Sequence, residues 1–403
     1  MTGTAGGRLR GAIVGYGFIA AHGHLPAYLG RADVEIVAVA DVCAPRRALV
    51  AAQLPGAAIY PTAEALLSAE GGRLDFVDVA TPPCDHAPIA HLALDLGVHV
   101  LCEKPLATRG ADARALLEHA ARARRVLFPV HNYKHAPVVK AIRQVIRSGR
   151  IGRVHSVTVD TFRTTHARGV PEWNPDWRRQ VRWSGGGIAM DHGSHAFYLT
   201  FDWMDGAPVA VTAKMGNSEP SRWDTEDTLC AVVTFPSGLA RVHLSWIAGV
   251  RKVVYTVHGE LGAVTVDDDD MQISTHPPAG AAGGAAPRVE RRTIASDWMD
   301  ASHTRWFSSM FDEFLAAVES GEWAGRDAQD ARRCIEVVEA CRASARDGCR
   351  EKRVGGIVPS ATHPAGDAHA GALAVSASLR SAARTRGRPP ARRPRRRSRA
   401  RRR

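Results

Sequence analysis

The chain has 403 residues, 45% apolar and 23% charged, which is ordinary for a soluble globular protein and long enough for two cores. The net charge of +12 suggests a nucleic-acid binder, but residues 355–403 hold thirteen arginines against one acid, Asp367, and the rest of the chain is balanced. No run reaches the ~18 apolar residues of a membrane span, and seven cysteines without metal-finger or C-x-x-C spacing argue against a zinc site or a disulfide framework.

Apolar runs at 9–14, 34–40, 76–80, 98–102 and 126–130 predict buried strands, with helices at 45–53 and 87–96 between them. That alternation predicts an α/β domain with a doubly wound parallel sheet over residues 8–130. Residues 136–148 carry Val138, Val139, Ile142, Val145 and Ile146 at helical spacing, stopped by Gly149. The pattern changes after Ile151. Residues 154–162 are β-rich, the turn Pro236-Ser237-Gly238 separates runs at 228–235 and 239–247, and a Gly259–Gly262 turn separates 253–258 from 263–266. Short turns between strands favour an antiparallel sheet, so 131–354 reads as an α+β domain with helices near 304–320 and 327–346. The Pro/Gly/Ala-rich segment 276–287 reads as a flexible loop. Residues 355–403 read as a disordered, arginine-rich tail, the one part suited to nucleic acid.

Gly15-Tyr16-Gly17-Phe18-Ile19-Ala20 follows the first predicted strand. Gly15 allows a tight turn, Gly17 lets a pyrophosphate approach the backbone, and Ala20 permits close helix packing, with Phe18 and Ile19 in the same binding turn. Asp41 ends the second strand, where a carboxylate meets the adenosine ribose hydroxyls and favours NAD. Arg46 and Arg47 in the next helix keep NADP possible. Glu103-Lys104-Pro105 ends another strand and sets a cation at the carboxyl edge, where the nicotinamide belongs. After Gly185-Gly186-Gly187, Asp191 and His195 stand at i and i+4, on one face of a helix. Alcohol oxidation needs a base and a group that orients the oxygen. His195 is the candidate acid/base, Asp191 its orienting partner, and Lys104 the polarising cation. Trp173, Trp177 and Trp183 alternate with Arg178, Arg179 and Arg182, which suits a carbohydrate-like ligand and equally suits core packing. No metal site is expected.

The glycine turn, the Glu-Lys-Pro element and the Asp-x-x-x-His element together resemble the glucose–fructose oxidoreductase / inositol dehydrogenase / rhizopine catabolism (Gfo/Idh/MocA) family, over most of the chain to about residue 354. The resemblance implies hydride transfer between NAD(P) and a secondary alcohol of a sugar, cyclitol or related polyol. It also implies a large open antiparallel sheet and a homo-oligomer formed through it, while the cysteine usage and the lack of a membrane-length apolar run point to the cytoplasm. It places Thr81, Pro82 and His86 beside the nicotinamide, with Pro83 where the family more often has a polar residue. His131-Asn132-Tyr133-Lys134 resembles the family's Asn-Tyr-Arg segment, with Lys134 replacing arginine. Tyr133 either lines the cleft or packs the hinge. Two alternatives stand beside this reading: an NAD-dependent glycoside hydrolase of the same family and a dinucleotide-binding sensor.

Overall fold

The structure is a computed structural model that describes residues 8–276 and 288–355. The expected loop and arginine-rich tail therefore lie, apart from His276 and Gly355, outside the described residues. The described part contains β1 (Leu9–Val14), α1 (Leu25–Leu29), β2 (Val34–Ala40), α2 (Ala44–Gln53), β3 (Ala58–Tyr60), α3 (Ala63–Glu70), β4 (Phe76–Val79), α4 (His86–Asp95), β5 (His99–Cys102), α5 (Gly110–Ala123) and β6 (Leu127–Pro129). These strands form a six-stranded parallel sheet in the order β3-β2-β1-β4-β5-β6. Its central strands are covered on both faces, which explains their near-continuous Val/Ile/Ala sequence.

Then come α6 (Pro137–Arg147), β7 (Val154–Phe162), α7 (Val181–Ser184), α8 (Ile188–Met204), β8 (Ala210–Gly216), β9 (Thr228–Phe235), β10 (Gly238–Ser245), β11 (Lys252–Gly259), β12 (Gly262–Asp267), β13 (Asp270–Thr275), β14 (Arg288–Thr293), α9 (Thr304–Ser320), α10 (Arg326–Arg346) and β15 (Lys352–Arg353). Among the described residues the second sheet has nine strands, ordered β14-β13-β12-β11-β7-β10-β9-β8-β15. It is antiparallel except where β10 runs parallel to β7. Helices α8 and α10 pack on one face of this sheet. α8 is buried along most of its length, so it reads as apolar nearly all round.

Helix α9, from the far end of the chain, packs against the parallel sheet. Phe307, Phe311 and Phe314 meet Tyr28, Phe76 and Phe128 at ring-centroid distances of 5.1–6.0 Å. Aromatic pairs in this range add to area burial, and the described residues lie in one compact unit.

One polar group sits inside this packing. His24 ends a π-helical turn (Ala20–His24) and stacks on Phe307 at 3.9 Å. Its Nδ1 lies 2.8 Å from Asp78 Oδ2, which also accepts the Tyr28 hydroxyl at 2.9 Å, and its Nε2 lies 3.3 Å from Glu103 Oε1. Burial pushes the His24 imidazole down, but Asp78 and Glu103 outweigh it and raise it to about 9. A raised histidine stabilises the fold fully below its unfolded value near 6.5, and that contribution is lost as pH rises through about 9. Denaturant titrations at pH 6.5 and pH 9 should show native stability falling by more than that of His24→Gln. Equal losses in the two proteins would remove His24 from the account.

Candidate active site

The carboxyl edge of the parallel sheet and the helix-bearing side of the second sheet face a cavity of about 740 Å³. On the dinucleotide side, β1 runs into Gly15 at φ +89°, where a Cβ would stand 2.7 Å from the Thr81 backbone nitrogen. Only glycine fits that approach. At Gly17 nothing lies within 4 Å of a Cβ position, so the turn offers bare backbone to the cavity. Phe18 and Ile19 line the cavity, while Ala20 is buried against the sheet.

Asp41 is fixed by two backbone amides, with Tyr16 N–H donating to Oδ2 at 2.6 Å and Cys43 N–H to Oδ1 at 2.7 Å. Both neighbouring arginines are turned to carbonyl oxygens. Arg46 Nε donates to Tyr16 O at 2.7 Å, and Arg47 Nη1 donates to Asp41 O and Val42 O at 2.7 and 3.0 Å. Arg46 also lies 3.8 Å from Glu172, and Cys43 Sγ reaches Glu172 O at 3.4 Å. Residues 167–178 thereby cross to the dinucleotide side, contributing Gly169, Val170, Trp173, Trp177 and Arg178 to the lining. An open glycine turn, a fixed carboxylate and lining by Thr81, Pro82 and Glu103 fit a bound NAD.

The reacting end is built from both halves. Lys104 follows β5 and Glu103, and the Lys104–Pro105 peptide is cis. Its Nζ lies 2.6 Å from Asp191 Oδ1 and 3.2 Å from Asp191 O. Asp191 sits in the first turn of α8, a helix whose start is held by Glu226 Oε1 accepting from the amides of Gly187 and Ala189 at 2.9 and 3.2 Å. Arg178 Nε and His192 Nδ1 lie 3.5 and 3.4 Å from Asp191 Oδ2. Burial raises the Asp191 carboxyl, but Lys104, Arg178 and His192 outweigh it and hold it well below the usual carboxylate range.

His195, one helical turn on, lines the same cavity. Burial, and after it the Lys104 charge, holds its imidazole well below the ordinary value, so the ring is neutral at pH 7. Its Nδ1 lies 2.7 Å from the Tyr198 hydroxyl, which also accepts the Tyr133 amide at 3.2 Å. The Tyr133 ring stacks on His195 at 3.8 Å and meets Trp298 and Trp306 edge-on, so it both lines the cleft and packs the hinge. No motif of its own marks Tyr198 in the sequence. The signal was its i, i+3 spacing from His195.

Other residues sit differently from expectation. His86 does not face the cavity. It is fully buried, with Nδ1 and Nε2 each 2.8 Å from a carbonyl oxygen, of Pro105 and Thr81 respectively, so its one N–H donates to one of the two and the ring packs between two cleft turns from behind. Lys134 turns away from the cleft into a buried ion pair with Asp327 of α10. Arg179 pairs with Asp227 between Trp223 and Trp246, and Trp183 packs on Trp173, leaving Trp173, Trp177 and Arg178 on the cavity wall. Arg178 stacks on Trp177 at 4.2 Å.

Comparison with known proteins agrees with this architecture. Residues 9–131 match the family model described as oxidoreductase family, NAD-binding Rossmann fold, and residues 139–265 match the GFO/IDH/MocA C-terminal domain. D-apiose dehydrogenase of Paraburkholderia graminis is 28% identical over 349 residues, covering 85% of this chain and 88% of the relative. Inositol 2-dehydrogenase of Rhizobium meliloti is 26% identical, covering 79% and 91%. Among solved structures, GenD2 from gentamicin A biosynthesis in complex with NAD is 27% identical, with a TM-score of 0.71 over 86% of this chain and 96% of that one. Levoglucosan dehydrogenase in complex with NADH shares the fold, with a TM-score of 0.74 at 20% identity, over 87% of this chain and 100% of that one. Dinucleotide turn, Lys104–Asp191 pair and matched domains together make this chain a member of the Gfo/Idh/MocA family of NAD-binding oxidoreductases.

Proposed function

We propose that this protein is an NAD-dependent dehydrogenase or reductase acting on a secondary alcohol of a sugar, cyclitol or related polyol. The observation that carries the reading is the 2.6 Å contact of Lys104 with Asp191, one helical turn from a neutral His195 on the same cavity wall. When bound, NAD supplies the hydride acceptor or, reduced, the donor. Lys104 and Asp191 orient the substrate oxygen, a donor and an acceptor held against each other. His195 moves the proton at Nε2, since Nδ1 is taken by Tyr198.

A hydroxyl donates or accepts, so Tyr198 serves either tautomer. In ketone reduction Tyr198 accepts from Nδ1–H while the imidazolium returns its Nε2 proton to the forming alkoxide, which leaves the ring neutral. When it accepts from Nδ1–H, the Nε2 lone pair is free to take the hydroxyl proton in oxidation. Thr81, Pro82, Gly15, Gly17, Phe18, Ile19, Asp41 and Glu103 hold the dinucleotide, with His86 acting as a positioning residue behind Thr81. Tyr133, Trp177 and Arg178 form the substrate wall.

Residues 8–130 serve as the dinucleotide domain and 131–354 as the substrate and assembly domain, with α9 lent back to the first. Cys230, Val232 and Leu239 stand exposed on β9 and β10, supporting a homo-oligomer through the open sheet face. Seven unpaired cysteines support a reducing, cytoplasmic setting. Among the described residues no helix is long and apolar enough to cross a membrane.

Purified protein mixed with NAD and a polyol panel should reduce NAD for at least one member, read at the nicotinamide absorbance. Product release from a glycoside included in the panel, without net reduction, would contradict the dehydrogenase reading and favour hydrolysis.

A further inference from the structure

Arg163 follows the last residue of β7, and Arg251 precedes the first residue of β11. These strands are antiparallel neighbours with Phe162 opposite Lys252. One step further, the register sets Arg163 opposite Arg251, and both line the active-site cavity. Like charges directly opposed across a sheet repel, and a guanidinium cannot shed its proton.

The protein does not neutralise this pair. Arg163 Nη1 donates to the carbonyl oxygens of Phe162 and Lys252 at 2.8 and 3.3 Å, which hold the side chain without balancing its charge. Its backbone is pinned as well, by Ser245 O at 2.8 Å and the Ala248 amide at 3.1 Å. Arg251 is partly exposed and makes no hydrogen bond or ion pair among the described residues. Burial, and after it the Arg163 charge, pushes its guanidinium down. The two acids whose field reaches Arg251 have other partners. Asp268 takes the Val253 amide at 2.9 Å and the Lys252 ammonium at 3.3 Å, and Asp269 takes the Ser296 amide at 3.0 Å. Within the cavity, Asp41, Glu64, Asp85 and Glu103 belong to the dinucleotide side, and Asp191 is already matched by Lys104 and Arg178.

His303 is on the wall of the same cavity, in a left-handed backbone conformation, φ 47°, with its ring stacked on Trp306 at 3.9 Å. Burial takes its imidazole down to about 4, with Asp300 opposing and Arg251 and Arg163 assisting, so the ring is neutral. Its Nδ1 is buried and has no hydrogen-bond partner among the described residues. Two unbalanced guanidinium groups on one cavity wall are costly for the protein alone and complementary to an oxyanion. Arg163 also lies close enough to His192, the neighbour of Asp191, for its charge to depress that ring. Arg163, Arg251 and the Lys104–Asp191–His195 wall line the same cavity.

We propose that Arg163 and Arg251 form an anion subsite, and that the natural substrate is a polyol bearing a carboxylate or phosphate group. The proposal rests on the dehydrogenase reading for the word substrate, and on the cavity wall alone for the subsite. The planar donor forks of two arginines suit either anion.

The test is calorimetric titration of the NAD-loaded, full-length protein with D-glucose, D-glucuronate, D-glucose 6-phosphate and inorganic phosphate, the last being blind to ring stereochemistry. At least one anion should bind about tenfold or more tightly than glucose, and the tighter anionic sugar distinguishes carboxylate from phosphate. Arg163→Gln and Arg251→Gln should each weaken that binding about tenfold or more while NAD affinity stays native. Arg251→Gln removes a repulsion and no hydrogen bond, so its melting temperature should match or exceed the native one. Glucose binding as well as every anion, no anion binding at all, or anion affinity unchanged in both variants would overturn the subsite. Lost binding with a lowered melting temperature would make Arg251 structural and overturn it as well. The two readings separate cleanly. Anion binding without turnover of any polyol removes the dehydrogenase and keeps the subsite, whereas turnover indifferent to a charged group does the reverse.

Discussion

His195→Gln and Lys104→Met should each lower kcat by about 10²–10⁴-fold, the usual cost of removing a positioned acid/base group, with NAD affinity unchanged. His195 is the ring whose free nitrogen serves the cavity, because Tyr198 holds the other at 2.7 Å. Lys104 balances Asp191 at 2.6 Å, and without it that carboxylate keeps only Arg178 at 3.5 Å. The glycine turn lies elsewhere on the cavity wall, so fluorescence titration with NAD should return the native affinity for both variants. Near-native turnover in His195→Gln would refute its assignment. His192, bonded through Nδ1 to the Trp246 indole at 3.2 Å, would then be the next base to examine.

NAD should bind about tenfold or more tightly than NADP, and Asp41→Ser should erase most of the difference. The Asp41 carboxylate is held in place by the amides of Tyr16 and Cys43, so it cannot swing from a 2′-phosphate. Such a phosphate carries about two negative charges, and like charges at contact repel strongly in a partly buried site. Arg46 and Arg47 are engaged with backbone carbonyl oxygens and are not positioned to compensate. Paired affinity measurements on native protein and variant decide this. A native preference for NADP would mean that one of those arginines leaves its carbonyl partner to bind the phosphate.

What the sequence disclosed follows from the range of each interaction. The first two strands and the run at 228–235 match the structure residue for residue, because buried strands in parallel sheets and tight hairpins are encoded by local apolar runs and turn residues. The dinucleotide turn, Lys104, and the Asp191–His195 pair were legible because each is a short pattern whose chemistry restricts residue type. The short β3, the helices α3 and α5, and the strands β13 and β14 carry weaker local marks in the sequence. Contacts between distant segments left none. Lys134 stands in a segment that resembles the family's Asn-Tyr-Arg, and nothing local records that Asp327, 193 positions away, holds it. His86 follows a Thr-Pro turn at the right spacing, yet the two carbonyls flanking its ring place it behind the wall. Arg163 and Arg251 become a pair only through the register of β7 and β11. The packing of α9 on the parallel sheet likewise depends on a return of the chain that no local pattern records.

The central claim is direct hydride transfer to the cofactor at the Lys104–Asp191–His195 wall. It is tested most directly with whichever polyol is turned over, carrying deuterium on the carbinol carbon, followed by mass analysis of the recovered nicotinamide. The account predicts one deuterium on the reduced nicotinamide ring for each product formed, and none washed into water. Product formed with an unlabelled cofactor, or with the label released to solvent, would contradict it.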